Sequence, residues 1–110
     1  MNSPSFRVFW TETAIRDLED LLAYIAADSP ANARNVLGRL KDRAVALGST
    51  PGRGRVVPEL AQFGLSAWRE LIVRPYRLIY RIESKTVYVL AVLDSRRDLE
   101  DLLLKRLLRE

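Results

Sequence analysis

The chain contains no cysteine and no histidine in its 110 residues. Disulfide staples, thiolate nucleophiles, the usual zinc centres and imidazole acid–base chemistry are therefore excluded. No metal and no cofactor is expected. The missing cysteines permit a reducing cytoplasm without requiring it. No apolar run reaches the roughly 18 residues needed to cross a bilayer, so no membrane role is expected. The opening MNSPSFRVFW lacks a cationic segment followed by a long apolar one, which speaks against a signal peptide and for a cytoplasmic protein. Nucleotide-binding loops of the Walker or GxGxxG kind, nucleophile elbows, internal repeats and low-complexity stretches are also lacking.

What is present suits one soluble domain over residues 1–110. The chain is 48% hydrophobic and 29% charged, which is enough to build one core under a well-solvated surface. Its net charge of +4 is unevenly placed. Residues 1–50 hold six basic and six acidic side chains, residues 51–97 nine basic and four acidic, and residues 98–110 three and four. The positive field belongs to the second half, where an anionic partner is favoured.

Residues 6–10, FRVFW, read as a short strand. Thr11 then suits the cap of a helix whose Ile15, Leu18, Leu22 and Ile25 recur at three- and four-residue spacing. Its acids, Glu12, Asp17, Glu19 and Asp20, lie toward the N-terminal half, as the helix dipole favours. Asp28-Ser29-Pro30 stops that helix and starts a second, with Ser29 as N-cap and Pro30 in the first turn. Ala33, Val36, Leu37, Leu40, Ala44 and Leu47 form the second helix's apolar stripe, and Gly48 ends it. So short a link demands a helical hairpin. From Gly48 to Ser66 periodicity lapses, and STPGRGRVVPEL reads as a long surface loop.

Three strands follow: Trp68–Val73, Tyr76–Glu83 and Thr86–Leu93. The short turns between them imply an antiparallel meander. In the middle strand Tyr76, Leu78, Tyr80 and Ile82 share one face, and Arg77, Ile79 and Arg81 the other. The last strand, TVYVLAVL, is apolar on both faces and belongs inside the sheet. The expected class is α+β, in the order β-α-α-β-β-β, with the hairpin on one face of a small antiparallel sheet and the arginine face left free. Residues 98–110 form a leucine-rich helical tail, either packed on the domain or docking another chain through Leu99, Leu103 and Leu107.

Residues 68–99 carry six arginines and one lysine. Arg77 and Arg81 lie about 13 Å apart on one strand face at roughly 3.3 Å per residue, a span that suits neighbouring phosphates. The structural alternative is pairing with acids of a neighbouring strand, for which Glu70 and Glu83 are available. Arg53 and Arg55 suit electrostatic capture from the loop, and Arg69 and Arg96 complete the target-binding candidates. Arg97 fits an internal pair with Asp98. Were the chain a nuclease, Arg77, Arg81, Asp94 and Arg97 would be the catalytic candidates. Tyr80 and Tyr88 read as core residues.

The order strand, helical hairpin, Pro/Gly/Arg loop with PEL, then WREL…PYRLIYRI…VYVLAVL…RRDL resembles the RelE/ParE superfamily of bacterial type II toxins, also known as the plasmid stabilisation family. The likeness runs from Phe6 to Leu99. It implies a growth-inhibiting toxin that an antitoxin wraps and neutralises, with higher-order complexes between them. It also implies one of two targets: the ribosome, where RelE-like members cut messenger RNA, or DNA gyrase, which ParE-like members poison. Many relatives carry histidine where Asp94 stands here, and no tyrosine follows Tyr88 to match the C-terminal tyrosine of some nucleases. Both departures favour the gyrase type. A ribosome-dependent endoribonuclease and an inactive relative that only binds antitoxin are the alternatives.

Overall fold

The computed structural model describes residues 5–95 together with Lys105 and Arg106. Strand β1 (Arg7–Trp10) leads into α1 (Glu12–Asp28) and α2 (Pro30–Ala46). A 3-10 turn (Pro51–Arg53), β2 (Arg55–Val56) and the single helical turn α3 (Pro58–Ala61) come next. The chain then forms β3 (Trp68–Val73), β4 (Tyr76–Glu83) and β5 (Thr86–Asp94).

The boundaries follow from the caps. The Thr11 hydroxyl accepts from the Ala14 N–H at 3.2 Å and donates to the Val89 carbonyl at 3.0 Å, so one side chain starts α1 and ties it to β5. Ser29 alone separates the helices. Its N–H closes α1 on the Ile25 carbonyl, and its hydroxyl accepts from Asn32 at 3.1 Å to open α2 behind Pro30.

The five strands make one sheet in the order β1-β5-β4-β3-β2. The meander β3-β4-β5 is antiparallel as expected, and β2 adds an antiparallel edge. β1 runs parallel to β5, which makes the sheet mixed. Ile79 stands opposite Ala91 while Tyr80 stands opposite Val89, so Leu90 is an extra residue on β5. This bulge swaps the faces of β5 midway. Val87, Val89 and Val92 all reach the hairpin side, whereas Ala91 and Leu93 point away from it.

Cores therefore form on both faces of the sheet. Between hairpin and sheet lie Leu40, Leu47, Leu78, Val87 and Val89, all fully buried. On the far face the segment 51–66 folds over the sheet and buries Val57 and Leu60 against Ile79, Ala91 and Leu93, with Leu65 and Trp68 packed alongside. Two expectations change here. The segment after Gly48 is not a plain loop, since it carries β2 and α3. Nor is the arginine face left free, since this flap covers one end of it. Fully burying side chains such as Val57 and Leu60 stabilises by about 1.5–3 kcal/mol each, which contributes to holding the flap in place.

Gly54 lets the flap approach so closely. A Cβ there would lie 2.5 Å from the Glu70 carbonyl oxygen and 2.6 Å from the Tyr80 hydroxyl, closer than any side chain tolerates. No helix among the described residues is long and apolar enough to cross a membrane.

Candidate functional site

Strand pairing sorts the far face of the sheet into rows. One row runs Arg7, Thr86, Glu83 from β1 through β5 to β4. The next runs Phe9, Tyr88, Arg81, Trp68 across β1, β5, β4 and β3. Beyond these lie Ala91, Ile79, Glu70 and Arg55, and then Leu93, Arg77 and Ile72. The flap covers the latter two rows and leaves the first two as an open end.

Under the flap, the charges are matched among themselves. Arg77 is buried, its side chain 7% exposed. Its Nη1 and Nη2 donate to the two oxygens of Glu59 at 2.6 and 2.7 Å, a bidentate fork between β4 and α3. Its Nε donates to Glu70 at 2.5 Å, and the other Glu70 oxygen accepts from Arg55 Nε at 2.7 Å. The four residues sum to zero charge. The Arg77 fork holds the Glu59 carboxyl below the usual carboxylate range, against a smaller opposing effect of burial. In return, the bonds from Glu59 and then Glu70 raise the Arg77 guanidinium above its ordinary value. The pairing of Arg77 with Glu70 is the structural alternative named from the sequence. Glu59, 18 residues before Arg77, is the partner that strand spacing could not reveal.

Tyr80 is fully buried on the hairpin side of the sheet, within reach of the flap's first turn. Its hydroxyl accepts from the Gly54 N–H and donates to the Pro51 carbonyl, both at 2.8 Å. Burial pushes the phenol above its ordinary value, partly offset by the Gly54 bond. Arg69 donates to the Gly54 carbonyl at 2.7 Å. Tyr80 and Arg69 thus clamp the flap from the hairpin side of the sheet.

The sequence candidates are now placed. Arg77 and Arg69 are engaged in holding the flap, and Arg55 shares Glu70 while its side chain stays 61% exposed. Arg53 is exposed on the 3-10 turn. Arg81 alone of these stands in the open end, its side chain 37% exposed and its Nη2 3.2 Å from Glu83. Arg77 and Arg81 share the face as expected, but the flap separates their environments. Asp94 ends β5, half-buried opposite Tyr76. Arg96, Arg97 and the tail leucines Leu99, Leu103 and Leu107 lie outside the described residues. Within the tail Arg106 is described, and it donates to Asp17 of α1 at 2.7 Å. That same Asp17 oxygen accepts from the Val92 N–H at 3.1 Å.

Sequence reasoning missed the row Phe9, Tyr88, Arg81, Trp68. Alternation in FRVFW puts Arg7 and Phe9 on one face, but nothing local says which strand lies beside them. Phe9 is 55% exposed, and its ring meets Tyr88 edge-on at 5.8 Å and 73°. Chemically the open end can bind. The carboxylate next to Arg81 is Glu83, which is paired with it, while Glu59 and Glu70 are locked on guanidinium groups. Beside Arg81 the described residues set one carboxylate, Glu83, which is ion-paired with it, and one phenol, Tyr88, directly across the strand pair with its ring edge-on to Phe9.

A family model described as the ParE toxin of the type II toxin-antitoxin system parDE matches residues 8–99. The chain is 34% identical over 91 residues to Y4kP of Sinorhizobium fredii, described as a candidate toxin, covering 81% of this chain and 88% of the relative. It is 32% identical over 92 residues to Toxin RelE2 of Caulobacter vibrioides, covering 83% and 97% of the two chains. A solved chain of the chromosomal ParDE toxin-antitoxin system from P. aeruginosa superposes with a TM-score of 0.67 at 20% identity, covering 84% of this chain and 98% of that one. This last likeness is one of fold.

Proposed function

Because the chain belongs to the ParE toxin family of type II toxin-antitoxin systems, we propose that it arrests growth by binding DNA gyrase, and that a cognate antitoxin neutralises it. The observation that carries the choice of gyrase is the internal use of the sheet's polar groups. A nuclease of this fold needs cations free to meet a scissile phosphate and a group free to take a proton. Here Arg77 is committed to Glu59 and Glu70, and the Tyr80 hydroxyl is buried and doubly bonded. With no histidine in the chain, the groups left at the open end are Arg81 paired with Glu83 and the Tyr88 phenol packed edge-on against Phe9, a set suited to recognition.

The test uses purified chain with purified gyrase and relaxed plasmid. Inhibited supercoiling with accumulation of cleaved DNA is expected, and addition of the antitoxin restores activity. Undiminished supercoiling at a large excess of the chain would overturn the gyrase reading. If ribosome-bound messages were cut by the same preparation, the nuclease reading would replace it.

A further inference from the structure

We infer that the open end of the sheet's far face is a docking site for an acidic segment of the cognate antitoxin, one that seats an apolar side chain beside Phe9 and a carboxylate near Arg7 and Arg81. The inference rests on the toxin–antitoxin reading above and adds the surface and the chemistry of contact. The row Phe9, Tyr88, Arg81, Trp68 brings three aromatic rings and a guanidinium together from four strands. Aromatic residues and arginine are the side chains that dominate protein–protein contacts. Elsewhere this face is covered by the flap, so the open row is where the sheet still presents such groups.

Two observations point to an occupant. Trp68 Nε1 and Arg81 Nε, on directly paired residues, are buried N–H donors without an acceptor among the described residues. Both atoms are closed to solvent, so what a docking carboxylate can reach is the exposed part of the Arg81 side chain, 37% of it, and a carboxylate is the acceptor that suits a guanidinium best. Beside them a cavity of about 280 Å³ is lined by Arg7, Val8, Phe9, Thr86 and Tyr88. That volume has room for an apolar side chain of a partner protein beside the exposed Phe9 ring. The exposed Arg7 at its rim supplies the charge complement to an acidic segment.

Nucleic acid fits this surface less well. Base stacking needs flat, open ring faces. Phe9 and Tyr88 stand edge-to-face at 73°, which denies a flat platform.

The experiment measures binding of the antitoxin encoded beside this chain to the wild-type chain and to Phe9→Asp, Arg81→Glu and the control Lys41→Glu on α2. Phe9 is more than half exposed, so Phe9→Asp is expected to fold, and a thermal melt checks each variant. Phe9→Asp and Arg81→Glu are each expected to weaken binding by about 30-fold or more, the scale of an interface hot spot, with Lys41→Glu unchanged. Hydrogen exchange at residues 7–10 and 86–89 is expected to slow in the complex. Binding within threefold of wild type for both variants, without added protection, overturns the site alone. So does loss of growth inhibition, or of single-stranded oligonucleotide binding, when antitoxin affinity is untouched. Failure of the wild-type chain to bind the antitoxin at all overturns the toxin–antitoxin reading and the site with it.

Discussion

Replacing Arg77 by methionine removes three charge-assisted hydrogen bonds and keeps most of the side-chain volume. Glu70 is the residue that suffers, since its side chain is fully buried and would keep only Arg55, which is 61% exposed. Breaking a buried ion pair by deleting one partner costs about 3–5 kcal/mol. Glu59 is 28% exposed and can rehydrate, which places the expected loss near the lower bound, about 3 kcal/mol. Against a total stability of roughly 5–15 kcal/mol, that is a large fraction. With a urea slope of about 1–3 kcal/mol per molar, the midpoint of unfolding falls by roughly 1–3 M. Arg81→Ala, at a half-exposed position, is expected to cost less than about 1 kcal/mol. The double variant Arg77→Met with Glu70→Leu removes both buried charges and is expected to recover stability relative to Arg77→Met alone. An Arg77→Met midpoint equal to wild type, with toxicity lost, would refute the structural assignment and return Arg77 to the target-binding set.

Gly54→Ala is expected to destabilise by about 1–3 kcal/mol or more, because its Cβ meets backbone and a buried hydroxyl. Gly38→Ala, in the middle of α2 with nothing within 4 Å of the added Cβ, is expected to stabilise by about 0.5–1 kcal/mol; paired denaturation curves check both. Tyr80→Phe leaves the Gly54 N–H and the Pro51 carbonyl without their partner and is expected to cost about 1–3 kcal/mol by the same assay. Glu59, held below the usual carboxylate range of about 4.3, contributes stability that is complete above that range. As pH falls, the unfolded chain protonates at this site first, so the contribution is lost between the ordinary value and the depressed folded one. Glu59→Gln is expected to flatten that acidic slope, and an unchanged slope would contradict the fork's role.

Much of the fold was legible because its elements carry strong local signals. Thr11, Ser29 and Pro30 mark helix ends by hydrogen-bond chemistry that acts within three residues. The strands 68–73 and 76–83 begin and end where the sequence placed them, and β5 runs one residue further, to Asp94. Non-local features were not legible. β2 and α3 are two and four residues long, too short for periodicity to register, and their order comes from Val57, Leu60 and Glu59 meeting the sheet. The place of β1 beside β5 is a pairing across nearly eighty residues that no turn specifies. In the candidate site, the spacing of Arg77 and Arg81 was right and their setting was not. One flap over half the face makes Arg77 a structural cation and leaves Arg81 open. The bulge at Leu90 sharpens this lesson, because it changes which β5 side chains face the flap without any local marker such as glycine.

On the function proposed above, the toxin acts by binding, with Arg55, Arg69 and Arg77 spent on holding the flap. The most direct test is to induce the chain without its antitoxin and follow plasmid linking number and message 5′ ends in the same culture. Loss of negative supercoiling with messages intact is the expected result. Messages cut at ribosome-protected positions, with supercoiling unchanged, would contradict the account.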